Sequence, residues 1–160
     1  MPHLENSYFN RAIYKGVLFE LTISNELLTE NSYYLKWNFK EDKFAKCYYL
    51  PITPSELDSA YSIENYCEYN GDVLKCAYSE ERRTFSLDLG ENEELCRRYG
   101  IGDVYDRYIG SRGYECYNDL WIVVPEDEVL DVWEQRSPIK GFPFHGPEKV
   151  YVKKDGVWLR

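Results

Sequence analysis

Histidine is nearly missing from this chain. His3 and His145 are the two in 160 residues, whereas proton-transfer and nucleophilic chemistry usually enlist histidine. The five cysteines form no Cys-x-x-Cys pair, so neither a zinc framework nor a thioredoxin-like redox motif is present. No metal site and no cofactor are therefore expected. Asp103-Val104-Tyr105-Asp106 and Asp127-Glu128 do not form the loop that binds Ca²⁺. Gly100-Ile101-Gly102 and Gly110-Ser111-Arg112-Gly113 lack the dinucleotide and phosphate-loop patterns and read as turns.

Basic charge is also scarce. Nineteen Lys and Arg face 28 Asp and Glu, a net charge of −9, which disfavours direct nucleic-acid binding and favours a basic partner. No apolar stretch reaches the length that spans a bilayer. Met1–Asn6 shows no basic segment leading into an apolar run, so no signal peptide is expected. Free thiols in a cytoplasmic protein follow as the expectation.

What the chain does have is tyrosine, 16 of them, in a composition that is 17% aromatic and 44% hydrophobic. That content supports a folded core in spite of the charge. Tyrosine suits half-exposed sheet surfaces and protein interfaces alike.

Alternation predicts a strand over Val17–Ile23, then a connection over Asn25–Asn31. A strand over Tyr33–Phe39 turns at Lys40–Lys43 and returns as Phe44–Leu50. Thr53-Pro54-Ser55-Glu56 is a capping box that predicts a helix to about Ile63. Asn70-Gly71 between strand-like runs predicts a tight hairpin that sets Cys67 opposite Leu74 rather than Cys76. Thr84–Leu89 alternates as a further strand. Asn92 caps a short helix that Gly100 ends, and Asp103 caps another over Val104–Ile109. Asp155-Gly156 predicts a terminal hairpin.

The organising stretch is Asn118–Gln135. Leu120-Trp121-Ile122-Val123-Val124 reads as a strand buried on both faces. Pro125 then opens a helix through Gln135, with Glu126, Asp127 and Glu128 at its positive end. The expected fold is α+β: a single domain over residues 1–160, mainly antiparallel sheet built from hairpins, with a few short helices packed on it.

Glu126, Asp127, Asp131 and Glu134 form an acid strip on that helix, and Tyr105, Tyr108, Tyr114 and Tyr117 supply phenols near Arg107 and Arg112. Together they are the expected partner-binding residues, phenols at the centre and carboxylates at the rim. In size, charge and composition over its whole length, the chain resembles the small acidic immunity proteins that bacteria make against secreted toxins. The resemblance implies an inhibitor that captures a basic toxin domain, such as a nuclease, by stoichiometric binding. Two other classes compete. One is a small enzyme using His145, with a cysteine such as Cys116 or with two acids, in a cleft beside the Gly141–Pro147 loop. The other is a structural or regulatory subunit with a homodimer seam at Trp121–Trp133.

Overall fold

Apolar residues alternating with polar ones make strands of most of this chain, and nearly every strand pairs with a sequence neighbour. The computed structural model describes residue 4 and residues 9–90, 92–100 and 120–160. The expected helix over Val104–Ile109 and the loop at Gly110–Gly113 lie outside them. Among the described residues the strands are β1 (Asn10–Tyr14), β2 (Val17–Leu21), β3 (Glu26–Thr29), β4 (Lys40–Asp42), β5 (Cys47–Pro51) and β6 (Ser59–Tyr69). They continue with β7 (Asp72–Ser79), β8 (Thr84–Gly90), β9 (Leu120–Pro125), β10 (Asp131–Pro138), β11 (Lys149–Lys154) and β12 (Val157–Trp158). Helix is minor: α1 (Glu93–Arg98) and 3₁₀ turns at Ser32–Trp37, Pro54–Glu56 and Glu126–Glu128. The architecture is thus mainly antiparallel sheet, and the helical half of the α+β expectation shrinks to these pieces.

The chain divides into two compact units, and β6, β10 and β11 contribute residues to both. The first unit holds Asn65–Trp133 and Tyr151–Arg160. In it β7 pairs with β6 and β8, and β9 with β8. Its core gathers Cys67, Leu74, Tyr78, Phe85, Leu87, Leu89, Val124, Val129, Val132 and Val152, with Cys96 of α1 and Leu4. Phe85 stacks on Trp158 at 5.8 Å and 11° and tilts against Tyr78 at 4.9 Å. The four described cysteines are free. Cys67 sits opposite Leu74 as the two-residue turn requires, and the Cys76 thiol is pushed well up by its hydrogen bond with Cys67 and by burial.

The second unit holds Ser7–Glu64 and Glu134–Val150. Its strand order β6-β1-β2-β3-β5-β4 is antiparallel throughout. Ala12, Phe19, Leu21, Leu27, Phe39, Ile52, Leu57 and Ala60 form its core. Phe19 lies 4.9 Å from the Tyr34 ring and 5.2 Å from Phe39.

Hairpins follow their turn residues. Lys15-Gly16, Asn70-Gly71 and Asp155-Gly156 each place two consecutive residues at positive φ (51° and 77°, 49° and 81°, 49° and 80°). Such mirror-image turns match the right-handed twist of the strands they join.

The expected connection over Asn25–Asn31 holds β3, and the expected turn at Lys40–Lys43 begins as β4. Four more expectations fail for physical reasons. Tyr33–Phe39 is a 3₁₀ turn rather than a strand: Asn31 caps it by accepting from the Tyr33 N–H (2.9 Å), and Asn38 ends it at φ 67°. Tyr34 and Trp37, three apart, then share the buried side of that turn. The capping box at Thr53 forms, its N–H donating to Glu56 Oε2 (2.7 Å). It starts only the turn Pro54–Glu56, because Ala60 and Tyr61 are taken up in pairing with β1. Leu120–Val124 is a strand, yet one face is open: Trp121 is 62% and Val123 57% exposed. Last, the helix over Glu126–Gln135 is a single turn followed by β10. Val129, Val132 and Trp133 fit either period, and the β-branched valines suit a strand. Asp131 meanwhile accepts from the Asp155 N–H (2.8 Å) and from Lys154 Nζ (3.0 Å), which fixes β10 beside the β11–β12 hairpin.

Phe85 is 0% exposed. Phe85→Ala is expected to lower the unfolding free energy by about 3–5 kcal/mol, read from the urea midpoint. A loss below about 1 kcal/mol would show that the rings around Phe85 do not form one cooperative core.

Candidate functional site

The acid strip expected on a helix is divided by the actual fold. Glu126, Asp127 and Asp131 belong to the first unit and Glu134 to the second. Tyr105, Tyr108, Tyr114 and Tyr117 lie outside the described residues, as does Cys116.

Three of the four carboxylates are engaged within the protein. Glu126 accepts from the Tyr78 hydroxyl and, at Oε1, from Arg83 Nε (2.8 Å) and Nη2. The Glu126 N–H donates to the Arg83 carbonyl (3.0 Å), so Arg83 clasps this residue by backbone and side chain together. Lys153, 2% exposed, donates from Nζ to the Glu126 carbonyl and lies over the rings of Trp158 (5.3 Å) and Phe85 (5.7 Å). The hydrogen bond from Tyr78, helped by Arg83, holds the Glu126 carboxyl below its usual range against the opposing effect of burial. Burial lowers the Lys153 ammonium, with Glu126 and Asp127 opposing. Asp131 is bound by Lys154, and the buried Glu134 pairs with Arg136 (3.2 Å), whose guanidinium lies 4.8 Å over Tyr61. Only Asp127 of the four is exposed.

Phenol against carboxylate recurs in this unit. The Tyr99 hydroxyl donates to Asp72 Oδ2 (2.9 Å) while Arg98 Nη1 reaches both oxygens of Asp72 (2.8 Å each). Tyr69 donates to Glu128 (3.1 Å) and stacks on Tyr99 at 5.8 Å. A depression of about 270 Å³ near these groups is lined by Glu68, Tyr69, Glu128, Leu130 and Asp131 with the Asn70-Gly71 turn. Burial, then the bond to the carboxylate, pushes Tyr78 and Tyr99 up to about 12.

His145 is exposed. The Ser59 hydroxyl accepts from the His145 N–H (2.9 Å) and donates to its carbonyl (3.2 Å), so its backbone is anchored and its ring faces solvent. Among the described residues no three His, Cys, Asp or Glu side chains converge to hold a metal ion, and no helix is long and apolar enough to cross a membrane.

A second acidic surface was not legible from any single stretch. In the second unit, the core takes Phe19 and Leu21 from β2, Leu27 from β3 and, partly buried, Tyr48 and Leu50 from β5. Their neighbours therefore occupy the other face of the sheet. Register aligns Glu20 with Leu28, Leu28 with Tyr49, and Asp42 with Cys47. The face holds a depression of about 510 Å³ lined by Glu26, Leu28, Glu41, Asp42, Lys43, Ala45, Cys47 and Tyr49. Glu26, Glu30 and Glu41 make no ion pair among the described residues, and Glu20 has Arg11 at 3.8 Å. Asp42 Oδ1 accepts from the N–H groups of Phe44 and Ala45 (3.0 Å each), which holds the β4–β5 turn. The Cys47 thiol registers this charge: burial, then Asp42, Glu30, Glu20 and Glu26, push it up. It stays protonated and is a poor nucleophile, so the surface suits attraction of cations rather than covalent chemistry. The available signal was that the outward positions of three successive strands include acids.

The phenol–carboxylate pairs predict a pH response. Tyr78 ordinarily titrates near 10.0 and in the fold near 12; a raised value means stability is complete below 10.0 and falls as pH rises to about 12. Glu126 is lowered, so its contribution holds above the ordinary 4.5 and fades as pH drops below it. Tyr78→Phe is expected to cost about 1–3 kcal/mol at neutral pH and to flatten both the alkaline and the acid decline, since the raised phenol is gone and Glu126 loses the hydrogen bond that lowers it most. Urea midpoints across pH read all three, and unchanged slopes at both ends would refute the coupling.

No curated protein and no solved structure matches this chain. A family model does match, over residues 5–115, and the chain belongs to the family described as uncharacterised conserved protein UCP033725.

Proposed function

We propose that this protein acts by binding another protein, as an immunity-type inhibitor that captures a basic toxin domain, such as a nuclease, one to one in the cytoplasm. The observation that carries this reading is the acid about the outer face of β2, β3 and β5 and the edge strand β4, where Glu26, Glu30 and Glu41 make no ion pair among the described residues and Lys40 stands beside Tyr49. Three carboxylates and one ammonium line the depression there, over an apolar floor of Leu28, Ala45 and Tyr49. A net charge of −9 accelerates encounter with a cationic partner. The recess admits a Lys or Arg side chain, and for a nuclease the carboxylates take the place of phosphates. Of the acids in the sequence motif, Asp127 and Glu128 are exposed and offer a second contact region, whereas Glu126, Asp131 and Glu134 already have internal cations.

The test is titration of the full chain against the basic product encoded beside its gene, with calorimetry and an activity assay of that product. A one-to-one complex that silences the product is expected. Glu26→Lys with Glu41→Lys should weaken it more than ~100-fold, and added salt should slow association. Absence of any complex would refute the function. A complex indifferent to this pair but broken by Asp127→Lys with Glu128→Lys would keep the function and move the surface to the first unit.

A further inference from the structure

The β6–β7 hairpin sets two thiols against each other on the core side of the first unit. Cys67 stands opposite Leu74, and Cys76 opposite Leu87. Leu74 and Leu87 are 5% and 0% exposed, so both cysteines lie on the sheet face that meets the core. Cys76 is two residues beyond Leu74, which makes it the diagonal neighbour of Cys67. The two thiols are hydrogen-bonded to each other, and neither is in a disulfide. Diagonal neighbours in an antiparallel pair lie about 7–8 Å apart, whereas a disulfide asks for Cα atoms closer than about 7 Å. Joining the sulfurs directly would pull the strands out of register. An ion between them spans the same gap with the backbone in place.

We infer that Cys67 and Cys76 form a two-coordinate site for a soft monovalent metal ion, copper(I). Thiolate sulfur selects soft ions over Mg²⁺ and Ca²⁺. Zn²⁺ asks for four ligands, and no three His, Cys, Asp or Glu side chains converge among the described residues. Two sulfurs suffice for copper(I). The pair belongs to the apolar core of the unit, which offers none of the oxygen ligands that harder ions require. Cys67 is wholly buried and Cys76 half-buried, so the ion enters from the Cys76 side. On binding, each Sγ releases its proton to water and donates an electron pair to the ion. Copper stays monovalent and nothing is oxidised. Cys76 is held protonated by its hydrogen bond with Cys67 and by burial, so it yields its proton only to an ion that binds sulfur strongly.

The inference is independent of the proposed inhibitor function, and its test needs no partner. Copper(I) is titrated into the fully reduced chain, without oxygen, against bathocuproine disulfonate, whose colour reports the copper it takes. One ion per chain is expected to resist this competitor, and X-ray absorption should show copper with two sulfur neighbours. Cys76→Ser should lose that ion, as should Cys67→Ala. Cys47→Ser, Cys96→Ser and Cys116→Ser should retain it. Because Cys67 is wholly buried, the half-buried Cys76 is the deciding position, and circular dichroism checks that Cys76→Ser is folded. Zn²⁺ offered in place of copper should not be retained. A chain that yields all its copper to the competitor would overturn the inference. So would an ion held equally well by Cys76→Ser, or a copper centre with three or more protein ligands.

Discussion

Glu126 is where the first unit is tied together. Its carboxylate receives a phenol from β7 and a guanidinium from the β7–β8 turn, and its carbonyl receives the ammonium of Lys153 from β11. A buried lysine is costly unless its charge is answered. This one has a carbonyl, two aromatic faces and the field of Glu126 and Asp127. The arrangement also explains why the chain makes only one turn at Glu126–Glu128 before extending. Continuing as a helix would remove the Glu126 carbonyl from Lys153 and Asp131 from Lys154.

The net charge of this protein is therefore unevenly spent. In the first unit acids meet phenols, guanidinium groups and ammonium groups and serve as structural acceptors. In the second unit Glu26 and Glu30 make no ion pair among the described residues, and Glu26 shares a face with Leu28 and Tyr49, which are only half buried. Charge left unanswered in the fold contributes nothing to stability and remains available for attraction at a distance. Acid count alone does not separate these two uses; the partner of each carboxylate does.

Local chemistry was well written in the sequence. Asn70-Gly71 and Asp155-Gly156 announced their hairpins, and Asn92 announced α1, whose Glu94 and Leu95 N–H groups donate to its side chain (3.1 and 3.2 Å). Periodicity was ambiguous wherever apolar residues stood both three and four apart. Val129, Val132 and Trp133 satisfy a helix as well as a strand, and only Lys154 and the Asp155 N–H, far along the chain, decide for the strand. The aromatic run Tyr33–Phe39 misled in the opposite sense, because a 3₁₀ turn of period three also buries Tyr34 and Trp37 together. The acidic face of the second unit was invisible for a different reason. Its residues come from β2, β3, β4 and β5, and which of them share a face depends on cross-strand register rather than on any one segment.

The paired left-handed residues at Lys15-Gly16, Asn70-Gly71 and Asp155-Gly156 bear on the order in which this fold is assembled. A two-residue connection closes at small entropic cost, and hairpin formation takes microseconds. Thus β1–β2, β6–β7 and β11–β12 are ready-made ribbons early in folding. The adjacency of β6 and β10 in the strand order, by contrast, must wait until everything between them has been drawn in. Sequence-distant pairing of that kind limits the overall rate, so the slow event belongs to the strands that contribute residues to both units.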